Sequence, residues 1–275
     1  MEIGVCTFVT DESIGPAELG RALEERGFES LMVAEHSHFP VKRETPRVAD
    51  LPRHYFRTLD PLVTLTAAAS VTRRLSVGTA IALVIERDPI HLAKEMASLD
   101  QISGGRAVFG VGAGWVREEM RNHGTDARTR TALLRERVLA IRAIWTQDEA
   151  EYHGRYVDFH PIQQWPKPVQ RPHPPILVGG EGPRMMEQAV EYGDGWMPRA
   201  MLGLDVLSEK LAEVRRRAEE RGRRPPSVTV FGAAPERADL DRFAEEGVDR
   251  VLLLLPTLPR DETLRTLDDF AALLP

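Results

Sequence analysis

The feature that most constrains this chain is a rhythm. Short runs rich in β-branched and aliphatic residues alternate with stretches whose apolar residues return at helical spacing, and the alternation repeats eight times. The strand-like runs are residues 3–9, 30–34, 75–81, 106–112, 175–179, 195–197, 227–231 and 249–255. Between them, Leu134, Val138, Ile141 and Trp145 fall at i, i+4, i+7 and i+11, and Leu207, Leu211, Val214 and Ala218 repeat that spacing. Pro16, Pro61 and Pro89 stand where helices start and a missing N–H costs nothing. Gly27, Gly104 and Gly247 stand just past helix ends, where a left-handed cap suits glycine. Strand then helix, repeated, means parallel strands with right-handed crossovers. Eight such units in 275 residues match a (β/α)8 TIM barrel, read as one domain over 1–275. A doubly wound open sheet is the alternative, and the lack of a Gly-x-Gly-x-x-Gly turn after the first strand weighs against it.

Two connections break the rhythm. Residues 36–59 form a long polar loop after the second strand, at the face where barrel active sites are built. A loop of this length is expected to serve as a lid or binding loop. Its Phe39, Pro40, Tyr55 and Phe56 stand among Lys42, Arg43, Arg47 and Arg53, a mix that suits a hydrophobic or an anionic molecule. Residues 149–174 lead from a helix to the fifth strand. Here His153-Gly154 reads as the tip of an extra hairpin and the Pro-rich remainder as a strap, both structural and at the opposite face.

Composition narrows the function. With 36 basic and 42 acidic residues the formal net charge is −6, which argues against a partner made of nucleic acid or anionic membrane. No run of apolar residues is long enough for a membrane span, and the opening MEIGVCTFV lacks the basic region of a secretory signal. The single Cys6 excludes an intrachain disulfide framework and a Cys-rich metal site. A reducing, cytoplasmic setting is expected. The histidines show no zinc spacing, so no metal is expected, and there is neither a Gly-x-Ser-x-Gly elbow nor a P-loop.

The informative residues therefore stand at strand C-termini. The second strand ends in Glu35-His36, followed by His38. A histidine there can act as a general acid–base, donate to a cofactor, or merely cap the strand. The third strand ends in Gly78-Thr79-Ala80-Ile81. The fourth ends in Gly110-Val111-Gly112-Ala113-Gly114-Trp115, where alternate glycines admit either a bulky group or close barrel packing. Trp115 offers an apolar wall with one N–H. The fifth runs into Gly179-Gly180-Glu181-Gly182-Pro183 and a helix start, either an anion site or a tight turn. Glu181 is awkward beside a phosphate unless its side chain turns away.

Several stretches together carry a resemblance. They are AEHSHFP at 34–40, DPLVTLTAAASVTRRLSVGTAI at 60–81, RDPIHLAKEMASLDQISGGRAVFGVGAGWVREEM at 87–120, RERVLAIRAIW at 135–145, YHGRYVDF at 152–159 and PPILVGGEGPRMMEQAVEYGDGWMPR at 174–199. Over roughly residues 1–200 the chain resembles the luciferase-like family of flavin- and deazaflavin-dependent oxidoreductases, above all the subgroup assigned to coenzyme F420. The resemblance implies a TIM barrel, usually a homodimer, acting on a small-molecule substrate with F420, or alternatively FMN, as cofactor. It implies His36 and Trp115 as catalytic candidates. It also implies cofactor contacts from Glu35, His36, Thr79, Ala80, Ile81, Gly112, Ala113, Gly114, Gly179, Gly180, Glu181 and Gly182, with a bulge and a non-proline cis peptide at Ala80-Ile81. Two departures stand out. The sugar-phosphate dehydrogenase branch has a carboxylate where this chain has Trp115, so glucose 6-phosphate is not expected as substrate. The flavin monooxygenases use an Arg after the fourth strand where this chain has Ala113-Gly114-Trp115, although Arg117 is close. The expected activity is F420-dependent hydride transfer to or from an organic substrate. An FMN-dependent monooxygenase and a non-enzymatic flavin- or F420-binding protein are the alternatives.

Overall fold

Eight parallel strands close on themselves in the computed structural model, which describes residues 1–42, 44 and 51–274. Arg43 and Arg47 of the long loop lie outside the described residues. The strands are β1 (Glu2–Thr7), β2 (Ser30–Val33), β3 (Ser76–Thr79), β4 (Ala107–Val111), β5 (Ala150–His153), β6 (Asp158–Ile162), β7 (Ile176–Gly179), β8 (Gly195–Met197), β9 (Ser227–Ala233) and β10 (Arg250–Leu254). The barrel runs β1–β10–β9–β8–β7–β4–β3–β2 and back to β1, while β5 and β6 pair antiparallel outside it. The eight expected barrel strands, the short sixth included, are all present.

Successive strand side chains alternate between two cores. Val5, Leu31, Val77, Phe109, Val178, Val230 and Val251 face the helices. Cys6, Met32, Val108, Leu177, Met197 and Leu252 fill the barrel. Because both faces are buried, each strand reads as a nearly continuous apolar run. Cys6 is part of that interior packing, and burial pushes its thiol up to about 12, so it is an inert filler.

The helices are α1 (Pro16–Glu25), α2 (His54–Arg57), α3 (Pro61–Ala69), α4 (Pro89–Ser103), α5 (Arg117–Asn122), α6 (Arg130–Thr146), α7 (Pro183–Glu191), α8 (Leu204–Glu220), α9 (Arg237–Glu245) and α10 (Arg260–Ala271). The Asp60-Pro61 and Asp88-Pro89 pairs start α3 and α4 in the same way. Asp60 Oδ1 accepts from the amides of Leu62 and Val63, and Asp88 Oδ1 from those of Ile90 and His91. The periodic residues of α6 and α8 are buried, as their spacing requires. Among the described residues no helix is long and apolar enough to cross a membrane.

Two strands stop short of their apolar runs, and both stops shape the mouth. The third run extends to Ile81, but β3 ends at Thr79 because its ladder changes partner. The Ala80 amide donates to Val33 O at 2.8 Å, whereas the Ala82 amide donates to Gly110 O at 2.8 Å. Ile81 is the bulged residue between them, and the Ala80–Ile81 peptide is cis, as the resemblance implied. The first run extends to Val9, but β1 ends at Thr7. Val9 O instead accepts from the Leu59 amide at 2.8 Å, which ties the far end of the long loop to the rim.

The hairpin and strap lie where a helix-to-strand connection belongs. The Glu136 carboxylate accepts from the amides of Arg155, Tyr156 and Val157. A Cβ on Gly154 would sit 2.4 Å from Glu136 Oε2, which explains the glycine at the tip. At the barrel base, Lys167 Nζ donates to Ile144 O at 2.6 Å and Gln147 O at 2.5 Å, capping the end of α6.

Candidate functional site

The mouth of the barrel has two unlike sides. On one, glycines stand just past β4 (Gly112) and at the last position of β7 (Gly179). A Cβ on Gly112 would lie 2.6 Å from Ile81 Cδ1, and one on Gly179 would lie 2.8 Å from Ile81 Cγ2. These two glycines take the Ile81 side chain, so at this point Ile81 lies against glycine backbone. Gly114 (φ +64°) turns the chain over Met120 and Leu83, with Ala113 half-buried before it.

The open stretch comes after β7. Gly180 has φ +112°, and a Cβ on Gly182 would meet nothing within 4 Å. Gly182 caps the nine-residue α7 with no side-chain hydrogen bond; Pro183 has no N–H and the Met185 amide donates to Gly182 O at 2.9 Å, so the first turn offers the Arg184 amide to an outside acceptor. Glu181 does turn away. Arg199 grips it in a fork, Nε to Oε1 at 2.8 Å and Nη2 to Oε2 at 2.9 Å. Burial opposes ionisation of Glu181, but the Arg199 hydrogen bonds outweigh it and hold the carboxyl below its usual range. The turn therefore carries no uncompensated negative charge, and it fits a phosphate-bearing group.

The other side is aromatic. His36 is the hub: its ring centre lies 5.0 Å from Phe39, 5.6 Å from Tyr55, 6.2 Å from Trp115 and 6.5 Å from Phe8. His54 stacks against Tyr55 at 4.9 Å. Burial lowers the His54 pKa and raises that of Tyr55, so this stacked pair is uncharged at neutral pH. Trp115 stays 40% exposed, an apolar surface facing solvent at the rim.

His36 is fixed from behind. Its Nδ1 lies 2.8 Å from Glu119 Oε2, and the other Glu119 oxygen accepts from the Ser37 amide at 3.2 Å. The two side chains are only 5% and 1% exposed. A carboxylate is an acceptor, so Nδ1 carries the hydrogen and Nε2 is left for an occupant of the mouth. β2 ends at Val33, so strand alternation does not place His38 beside His36, and His38 turns to the Ser37 hydroxyl and Asn122 instead. Beneath this pair lies Glu86, in the 3-10 turn Val84–Glu86, its side chain 3% exposed. Burial, and then the charges of Glu119 and Glu35, push its carboxyl up to about 8 against the pull of Arg137 and Arg87.

The structure separates the expected contact residues. Ala80, Ile81, Gly112 and Gly179 meet at the bulge, and His36 and Trp115 face one another across the aromatic side. Glu35 is drawn away from the mouth. One oxygen accepts from the Leu83 amide at 2.6 Å and the other from Arg87 Nε at 2.6 Å, which braces the turn after the bulge. Burial raises the Glu35 pKa despite Arg87. Thr79 is fully buried and donates to Gly110 O at 2.7 Å, a bond within the sheet. Glu119, Glu86, Phe8 and His54 were not singled out by sequence. Their only signal was position: two carboxylates just past the ends of the fourth and third strands, and an aromatic at the last inward position of the first.

The chain was compared with known proteins. The family model described as luciferase-like monooxygenase matches residues 13–239. An uncharacterized protein of Mycobacterium tuberculosis is 41% identical over 280 residues, covering 99% of this chain and 98% of that one. An F420-dependent glucose-6-phosphate dehydrogenase of Kineococcus radiotolerans is 29% identical over 198 residues, 71% of this chain and 55% of its own length. Among solved structures, a monooxygenase of Streptomyces bottropensis superposes with a TM-score of 0.83 at 23% identity, covering 100% of this chain and 98% of that one.

Proposed function

The chain belongs to the luciferase-like monooxygenase family, and from that premise we propose that it is an F420-dependent oxidoreductase acting on a small organic molecule at the barrel mouth. When bound, the deazaflavin supplies a two-electron hydride donor or acceptor at carbon C5. The observation that carries the reading is the His36–Glu119 pair past β2 together with a wall of glycines and one isoleucine past the neighbouring β3, β4 and β7. Such a wall offers a flat apolar surface for a ring, and such a histidine offers one nitrogen, in one orientation, to whatever lies on that surface. His36 Nε2 accepts or returns the proton that accompanies hydride transfer. Trp115, Phe39 and Tyr55 cover the reacting atoms and exclude water. The amides of Gly182 and of Arg184 at the start of α7 would hold the phosphodiester of the tail, with Glu181 kept clear by Arg199. The F420-dependent relative from Kineococcus supports the choice of cofactor, and the carboxylate replaced by Trp115 argues for a substrate other than a sugar phosphate.

The competing reading is an FMN-dependent monooxygenase. Side-by-side titrations with F420 and FMN, followed by fluorescence quenching, separate the two. We expect micromolar or tighter binding of F420 and clearly weaker binding of FMN. Equal or tighter FMN binding reverses the assignment.

A further inference from the structure

We propose that Glu86 is a positioning residue of this mouth: it holds a proton behind the His36–Glu119 pair, and its ionisation sets how firmly His36 keeps its own proton. The inference rests on the proposed function only in giving His36 a part in the chemistry.

The geometry begins with an orphan. Glu86 Oε2 is buried and has no hydrogen-bond partner among the described residues, a costly state for a carboxylate oxygen. His123 Nε2 lies 3.7 Å from it, beyond hydrogen-bond reach. The state of that nitrogen follows from a chain of hydrogen bonds. Asn122 Nδ2 donates to His38 Nε2 at 2.8 Å, so His38 carries its hydrogen on Nδ1. His38 Nδ1 donates to Ser37 Oγ at 2.9 Å, and the Ser37 hydroxyl then donates to His123 Nε2 at 2.7 Å. His123 Nε2 is therefore an acceptor, and burial, then His38, lowers its proton affinity. An ionised Glu86 would set a second lone pair against it. A proton on Glu86 removes that conflict.

The surrounding charges favour the same state. Glu119 faces Glu86 from α5 and Glu35 from the end of β2, both negative, while Arg87 beside it and Arg137 from α6 oppose them. The raised proton affinity of Glu86, to about 8, agrees with the geometry. With Glu86 neutral, one carboxylate stands behind the His36 imidazole. Once Glu86 ionises there are two, and the imidazole holds a proton more firmly.

The test uses the cofactor-free full chain with nitrogen-labelled histidine. The His36 ring nitrogens, assigned with a His36→Gln variant, are followed by NMR through the neutral and alkaline range. We expect an inflection near pH 8 in the His36 shifts, reporting Glu86, and its loss in Glu86→Gln. Infrared spectra of the wild-type protein should show a protonated carboxyl stretch at neutral pH that disappears as the pH rises through the same point. A wild-type titration without the inflection, or one that persists in a folded Glu86→Gln protein, overturns the proposal. If Glu86→Gln does not fold, the wild-type titration and infrared band decide alone. No cofactor is present, so these outcomes are independent of whether F420 or FMN binds.

Discussion

The base of the barrel and its mouth both pair charge, but much of the base, beside its Arg250–Glu29–Glu2 cluster, meets charge with main-chain groups. At the base, Arg106 donates to Ser103 O, Ala69 O, Thr72 O and Leu75 O, and to the Thr72 hydroxyl. Nearby, the Glu24 carboxylate collects the amides of Arg73, Arg74 and Leu75. These charges meet main-chain groups at the ends of α3 and α4, where unpaired amides and carbonyls would otherwise stay bare. At the mouth, charged side chains meet one another. Arg87 joins Glu35, Asp60 and Glu95, and His36 joins Glu119. Among the described residues, the ionisable groups with an unpartnered buried atom are Glu86 and Arg137, which meet at the turn Val84–Glu86. A charge locked to backbone can only stabilise. A charge matched by other titratable groups can change state, and this is the difference expected between a scaffold and a site.

Removing His36 tests the mouth most strongly. With a role in proton transfer, His36→Ala should slow turnover by about 10²–10⁴, while thermal unfolding shifts only modestly. His38→Ala should do far less, because its ring is engaged with Ser37 and Asn122. Unchanged F420 affinity and unchanged turnover in His36→Ala would end the case for this residue.

At the base the expectation is inverted. Arg106→Ala leaves several carbonyls without a donor and should cost about 2–4 kcal/mol of stability in denaturant unfolding. Cofactor affinity of the folded fraction should stay the same. Loss of affinity without loss of stability would erase the distinction between the two ends.

Glu86 gives the comparison a pH axis. Its folded pKa of about 8 lies above the ordinary 4.5. Between those values the folded chain binds more protons at this group than the unfolded chain does, so stability falls as pH rises through that window and levels off above it. Glu86→Gln should remove this slope, which amounts to at most about 5 kcal/mol between the acid and alkaline plateaus. Parallel stability–pH curves for wild type and variant would show that Glu86 ionises alike in both states.

These contrasts explain what was legible in the sequence. The eight strands were, because burial on both faces writes each as an apolar run. The overshoots at Phe8–Val9 and Ala80–Ile81 arose because apolar side chains continue where the ladder does not. His36 and Trp115 were legible as the polar and aromatic residues just past strand ends. Glu119 was not, since it stands 83 positions from His36 and only the closed barrel joins them. Glu35, Thr79 and Glu181 had the right chemistry and position, but their partners, Arg87, Gly110 and Arg199, are set by tertiary contacts.

The smallest effects separate the two kinds of mouth glycine. In Gly112→Ala the new methyl meets the tip of Ile81, a flexible side chain rather than backbone. Ile81 should turn to a less favoured rotamer at about 0.5–1.5 kcal/mol, and its movement should weaken F420 binding by altering the wall. Gly182→Ala differs on each count. Its φ of −72° suits any residue, and nothing lies within 4 Å of the added carbon. Stability should stay within about 0.5 kcal/mol of wild type. If the turn before α7 holds the cofactor's phosphodiester, the methyl stands where the anion must come close, and F420 affinity should fall while unfolding curves superimpose. Unfolding and F420 titration of both variants give the readout. A Gly182→Ala protein that binds F420 like wild type would remove the phosphate from this turn and leave the mouth assignment to His36 and the Ile81 wall.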